Sequence, residues 1–155
     1  MTAERPTLSG IHHLKIPVSD LDQSMLFYGR ALGAQRIPEA DHLRPDGSLF
    51  AVIMRVEGLG TLLELRLHPV RAVLQRGFDP VTLLVETREE LRRWDDHLTA
   101  ARLEHSEILA GLQAWILVVP DPDGTRLRLY TKERHGPEVA ADTGADWLDE
   151  SVRLS

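Results

Sequence analysis

The chemistry open to this chain rests on a handful of side chains. Glu64 stands among leucines in Thr61-Leu62-Leu63-Glu64-Leu65-Arg66-Leu67-His68, and the two-residue alternation of a strand puts Glu64, Arg66 and His68 on one face. A carboxylate turned toward an interior needs a partner, since burying it alone costs several kcal/mol. His13 lies in a run, residues 11–18, in which Leu14, Ile16 and Val18 alternate with His13, Lys15 and Pro17. One face of that run is apolar and the other carries functional groups, so His13 has three roles open to it: a contact to a ligand, a metal ligand, or a general acid or base. His12 falls on the opposite face and reads as a surface or packing histidine. His68 ends its run before Pro69, and His42 lies in an Asp/Arg/Pro/Gly loop; both read as surface histidines. Trp115 and Phe50 fall on strand-like runs and offer flat faces for stacking on an organic ligand, although most such aromatics fill cores.

Other chemistries lack their residues. Cysteine is absent, which removes disulfides, thiolate metal sites and cysteine nucleophiles and fits a cytoplasmic setting. There is no Gly-rich phosphate loop, no Gly-x-Ser-x-Gly elbow and no basic-aromatic stripe for single strands. Asp121-Pro122-Asp123-Gly124 resembles the start of a calcium loop only superficially, without the downstream oxygen ligands or the closing Glu. The net charge of -6 argues against nucleic acid as a partner, and most of it sits in an acidic tail, residues 133–155, with six acids against Arg134 and Arg153. That tail, which contains Gly136, Pro137 and Gly144, is expected to be disordered or loosely docked through Trp147 and Leu148. No apolar run approaches the ~20 residues of a membrane span and the N-terminus lacks the layout of a signal peptide, so no membrane partner is expected.

These side chains need elements to hold them. After the strand at 11–18, Ser19 or Asp20 can cap a helix in which Leu21, Met25, Phe27, Tyr28 and Leu32 recur at near-helical spacing until Gly33 stops it. Residues 81–87 repeat the strand, and Thr87-Arg88-Glu89-Glu90 is a capping-box pattern opening a helix with an apolar stripe of Leu91, Trp94, Leu98 and Ala101. Val18-Ser19-Asp20 and Val85-Glu86-Thr87 set the repeat distance at 67 residues. Each helix is followed by strand-like runs, 49–56 and 61–67 in the first half, 114–119 and 126–130 in the second, joined by Gly-bearing turns. Weaker strands near 35–38 and 106–109 complete a βαβββ order in each half. A single α+β domain follows: module one at about 10–68, a linker at 69–79, module two at about 80–132, then the tail. Two sheets joined edge to edge as a curved half-barrel, with helices outside, would leave a cleft on the inner face.

Gly10-Ile11-His12-His13-Leu14-Lys15-Ile16-Pro17-Val18-Ser19-Asp20-Leu21 with Phe27-Tyr28 and Leu32-Gly33, and the ending Asp121-Pro122-Asp123-Gly124-Thr125-Arg126-Leu127-Arg128-Leu129-Tyr130, resemble the vicinal oxygen chelate superfamily of glyoxalases, bleomycin-resistance proteins and extradiol dioxygenases. In its metal-dependent members each half supplies a His or similar ligand from the first strand and a Glu from the last. That resemblance puts His13 and Glu64 at two ligand positions. Pro80 and Arg128 hold the other two, and neither a proline ring nor a guanidinium ligates a metal. The resemblance therefore implies no metal and no other cofactor, with Glu64 and Arg128 paired across the cleft as a salt bridge where a metal would sit.

The expected function is that of a metal-free protein sequestering a small organic ligand in the cleft, with His13, Glu64, Arg66, Trp115 and Arg128 contacting it. One alternative is a metal-independent lyase or isomerase with His13 and Glu64 as catalytic residues. Another is a metal-dependent glyoxalase or dioxygenase with an irregular ligand set. A homodimer is expected, because related chains of this size combine modules from two copies or pack two paired-module chains together.

Overall fold

Leu14, Ile16 and Val18 alternate with polar neighbours because they belong to an edge strand, β1 (His13–Val18), whose apolar side enters the core: Ile16 and Val18 are buried and Lys15 is exposed. In this computed structural model, which describes residues 4–149, β1 leads through Asp20 into α1 (Leu21–Leu32). The Asp20 carboxylate accepts from the Gln23 N–H at 2.9 Å, and Gly33 ends the helix with φ +67°. Next come β2 (Gln35–Arg36), β3 (His42–Leu43), β4 (Leu49–Arg55) and β5 (Leu62–Leu67). β5 runs parallel to β1 and antiparallel to β4, giving the order β1-β5-β4-β2, with β3 also paired to β4.

The connection at 69–79, expected as a plain linker, contains a short helix, α2 (Pro69–Leu74). Pro69 suits its first turn because no N–H is needed there, and the His68 ring caps it by accepting from the Arg71 N–H at 3.3 Å. Then the pattern repeats: β6 (Val81–Val85), α3 (Arg88–Ala100), β7 (Leu109–Ala110), β8 (Ala114–Pro120) and β9 (Arg126–Arg134), in the order β6-β9-β8-β7. Thr87 caps α3 through the Glu90 N–H at 3.1 Å, as its sequence implies. Lys15 stands opposite Glu64 in one sheet and Thr82 opposite Arg128 in the other, so the register makes Glu64 and Arg128 equivalent positions. The α+β class with two βαβββ-like units is therefore what the chain forms.

One core serves both units: Ile16, Tyr28 and Leu65 of the first pack in the same cluster as Leu91, Leu98, Leu117 and Leu129 of the second. Among the described residues no strand of one sheet is hydrogen-bonded to the other sheet. The expected edge-to-edge join is instead made by side chains and turns. Tyr28 donates to the Asp121 carboxylate at 2.9 Å, Ser19 donates its N–H and hydroxyl to Asp123 at 2.9 and 2.5 Å, and the Gly77 N–H reaches the Gly124 carbonyl at 2.8 Å. Asp121 also accepts from the Asp123 and Thr125 N–H groups. Burial pushes the Asp121 carboxyl up to about 6, and burial with the neighbouring Asp121 raises the Tyr28 hydroxyl well above its ordinary value.

Of the two states expected for the tail, disorder or docking near Trp147 and Leu148, the structure shows docking. Residues 135–149 are tied down: the His135 N–H bonds to the Gln113 carbonyl at 3.0 Å, Asp142 exchanges two bonds with the Ala110 backbone at 2.8 and 2.7 Å, and Arg126 donates to the carbonyls of Trp147, Asp149 and Asp146 at 2.9, 2.7 and 3.2 Å. Arg126 shares its sheet face with Arg128 and Tyr130 while Leu127 and Leu129 enter the core. The tail thus passes over the face of the second sheet that is turned away from the core. Glu150 and Arg153, counted in the tail's charge, lie outside the described residues. Among the described residues no helix is long and apolar enough to cross a membrane.

Candidate functional site

β5 places Glu64 on the face of the first sheet opposite the core, between Lys15 of β1 and Ile53 of β4 in register. Its side chain is 1% exposed and is ringed by basic groups. The Arg66 guanidinium, two residues along the same strand and so on the same face, reaches Oε2 with Nη2 at 3.0 Å and Nε at 3.2 Å. Lys15 Nζ stands 3.8 Å from the same oxygen. On the other side His42 Nδ1 is 3.4 Å and His13 Nε2 4.0 Å from Oε1. Phe50 supports this ring from below, with the Arg66 guanidinium 5.0 Å and the His42 ring 5.6 Å from its centroid.

Beside Glu64 opens a cavity of about 570 Å³ between the sheet and the α2 connection. Lys15, Pro17 and Arg66 come from the sheet, and His68, Arg71, Leu74, Gln75, Arg76 and Phe78 from the connection. The volume is that of a site for a small organic molecule, with Pro17, Leu74 and Phe78 as apolar surface among polar and cationic side chains.

His13, Glu64 and Arg66 are thus brought together as the sequence implies, and two further residues join them. Lys15 shares the face of His13 by plain alternation. His42 arrives by a route the sequence hides, because β3 is only two residues long; it pairs with Ala51, which stands opposite Arg66. His42 is therefore no isolated surface histidine, and His68 is a helix cap at the cavity wall. Trp115 is placed elsewhere: it packs against the core beneath the Arg88 guanidinium, 3.8 Å from its ring, and beside His135.

The expected pair of Glu64 with Arg128 is not made. Arg128 Nε binds Asp79 Oδ2 at 3.1 Å, while Glu64 binds Arg66. The reason is local: Asp79 lies two residues before β6, the parallel neighbour of β9, and Arg66 lies on Glu64's own strand, so each carboxylate pairs with a guanidinium of its own unit. These donors do not suit a divalent ion. Glu64 Oε2 already faces a guanidinium and an ammonium, the equivalent position is a guanidinium, and among the described residues no three His, Asp or Glu side chains are disposed to hold a metal. What the arrangement can do is hold a polar or charged group of a small molecule and exchange a proton through an imidazole.

A family model described as the Glyoxalase/Bleomycin resistance protein/Dioxygenase superfamily matches residues 10–129. Among solved structures the fold is similar to that of the fosfomycin resistance protein FosX from Listeria monocytogenes, with a TM-score of 0.64 and 15% identity, covering 82% of this chain and 96% of that one. It is similar to TnmS3, an antibiotic binding protein from Streptomyces sp. CB03234, with a TM-score of 0.65 and 18% identity, covering 83% and 100%. A glyoxylase/bleomycin resistance protein/dioxygenase domain from Frankia sp. EAN1pec gives 0.62 and 22%, covering 82% and 100%. None of the curated proteins compared matches the chain.

Proposed function

This chain belongs to the glyoxalase/bleomycin resistance protein/dioxygenase superfamily, and from that membership we propose that it is a metal-free binding protein that sequesters a small organic molecule against the Glu64 face of its first unit. One observation carries this reading: both Glu64 oxygens are engaged by basic side chains beside a cavity of about 570 Å³. The carboxylate that metal-dependent relatives give to an ion is held here in ion pairs. Arg128 at the equivalent position supports the same reading, as does the fold shared with an antibiotic binding protein. Incubation with Mn, Fe, Ni or Zn salts, desalting and elemental analysis test it. The expected result is far less than one metal per chain; stoichiometric metal lost in Glu64→Gln would overturn it.

A second reading, a metal-independent lyase or isomerase, is favoured by the approach of His13 and His42 to the same Glu64 oxygen, at 4.0 and 3.4 Å. An imidazole oriented by that carboxylate can take or give a proton on a bound substrate. Its mark would be turnover that drops ~100-fold or more in His13→Gln while ligand affinity is kept.

We also infer that the working assembly is a homodimer. Support comes from large apolar side chains left in solvent, with Val70 and Val73 on α2 and Leu84 on β6 each at least 60% exposed. Sedimentation at micromolar concentration checks this, and a monomer there would count against it.

A further inference from the structure

We infer that the molecule held in the cavity is an organic acid, an apolar body carrying a carboxylate or phospho-type oxyanion, and that Lys15, Arg71 and Arg76 are its anchoring cations. This inference rests on the binding reading above and names the chemical class of its ligand. The cavity wall holds Lys15, Arg66, Arg71 and Arg76 and no Asp or Glu, and Arg66 is paired with Glu64. Four cationic side chains in one wall stand out in a chain whose net charge is -6. Neither Arg71 nor Arg76 forms an ion pair among the described residues, so their charge is uncompensated until an anion arrives.

Arg76 is held for this task. Its Nε donates to the Asp123 carbonyl at 3.4 Å, and its stem lies over Gly124, where a Cβ would stand only 2.8 Å from Arg76 Cγ. The turn of the second unit therefore seats a guanidinium at the cavity of the first, fixed before any ligand comes. Planar guanidinium groups suit oxyanions by paired N–H donors, and Lys15, 3.8 Å from Glu64, adds a point charge from the sheet side of the cavity. Pro17, Leu74 and Phe78 complete the wall with apolar surface, which asks for a body and not for a bare inorganic ion.

The test uses two probes of one shape, 1-naphthylacetate and its neutral amide, titrated calorimetrically into the full chain at low ionic strength, with 1-naphthylmethylphosphonate as a third. Wild type should bind the acid about tenfold tighter than the amide. Arg71→Gln/Arg76→Gln removes both guanidinium charges; it should cut the acid's advantage over the amide to about twofold, and ~0.5 M salt should do the same to wild type. A larger advantage for the phosphonate supports the inference and assigns a phospho-type ligand; a smaller one supports it and assigns a carboxylate. Equal binding of acid and amide, or an advantage that survives the double substitution, would overturn the inference and leave the binding reading standing. Absence of saturable binding by all three probes up to about 5 mM would overturn both.

Discussion

Arg66 makes the shortest of the four ion pairs around Glu64, at 3.0 Å. Without that guanidinium the carboxylate would keep Lys15 at 3.8 Å and the two imidazoles at 3.4 and 4.0 Å. Arg66→Ala is therefore expected to cost about 1–2 kcal/mol in urea unfolding, below the ~3–5 kcal/mol of a fully buried pair, because Arg66 itself is partly solvated and Lys15 can close in. Asp121 makes a different prediction. It takes its proton at about 6 in the folded chain against 3.8 ordinarily, so the folded state holds a proton that the unfolded state has released. Its stabilising contribution is full below about pH 4 and is lost as the pH rises through about 6, a difference of about 3 kcal/mol at ~1.4 kcal/mol per pH unit. The unfolding free energy of wild type minus that of Asp121→Asn should fall by up to that amount between about pH 4 and pH 7; a flat difference would remove the claim. His13 and Glu64 are legible in the sequence because alternation and family resemblance point to the same places. His42 is not, since a single histidine in a two-residue strand carries no periodicity, and the charge partners of Glu64 and Arg128 depend on which neighbour is nearer.

Among elements, the long ones announce themselves and the short ones do not. α1 and α3 carry their own caps, Asp20, Gly33 and Thr87, together with apolar stripes, and both form where the sequence places them. Thr87→Ala should lower stability by about 1 kcal/mol through the lost bond to the Glu90 N–H, measured by thermal or urea melts. α2 has only six residues, too few for a stripe, and β3 has two. Their positions follow from packing against β1 and pairing with β4, which no local pattern encodes. The turn at 121–124 reads as a hairpin closure and proves to be a clamp between units as well. Gly124 sits at φ +84° with no room for a Cβ. Gly124→Ala is expected to cost roughly 1–2 kcal/mol and to push Arg76 out of its seat, visible as a weaker response of the melting temperature to organic acids.

At the scale of the molecule, the 67-residue repeat is the part of the architecture that the chain states openly, and the two sheets share order and register accordingly. How the units meet is not stated, because Tyr28–Asp121 and Ser19–Asp123 join residues about a hundred positions apart with no signal in either segment. Composition is a poor guide to the tail for a related reason: its acids and glycines suggest disorder, while its docking uses backbone carbonyls that every residue has. That docking makes the two halves unequal. Ile116 and Val118, 5% and 0% exposed, lie on the sheet face that the tail crosses, opposite the core. A tethered segment meets its own docking surface at an effective concentration on the order of millimolar, and any visitor to that surface, a second copy included, must outcompete it. The chain end is thus a resident rival to association through the second unit. A chain ending at Arg134 should self-associate at lower concentration than the full chain in sedimentation, and a synthetic peptide of residues 135–149 added in trans should reverse the change.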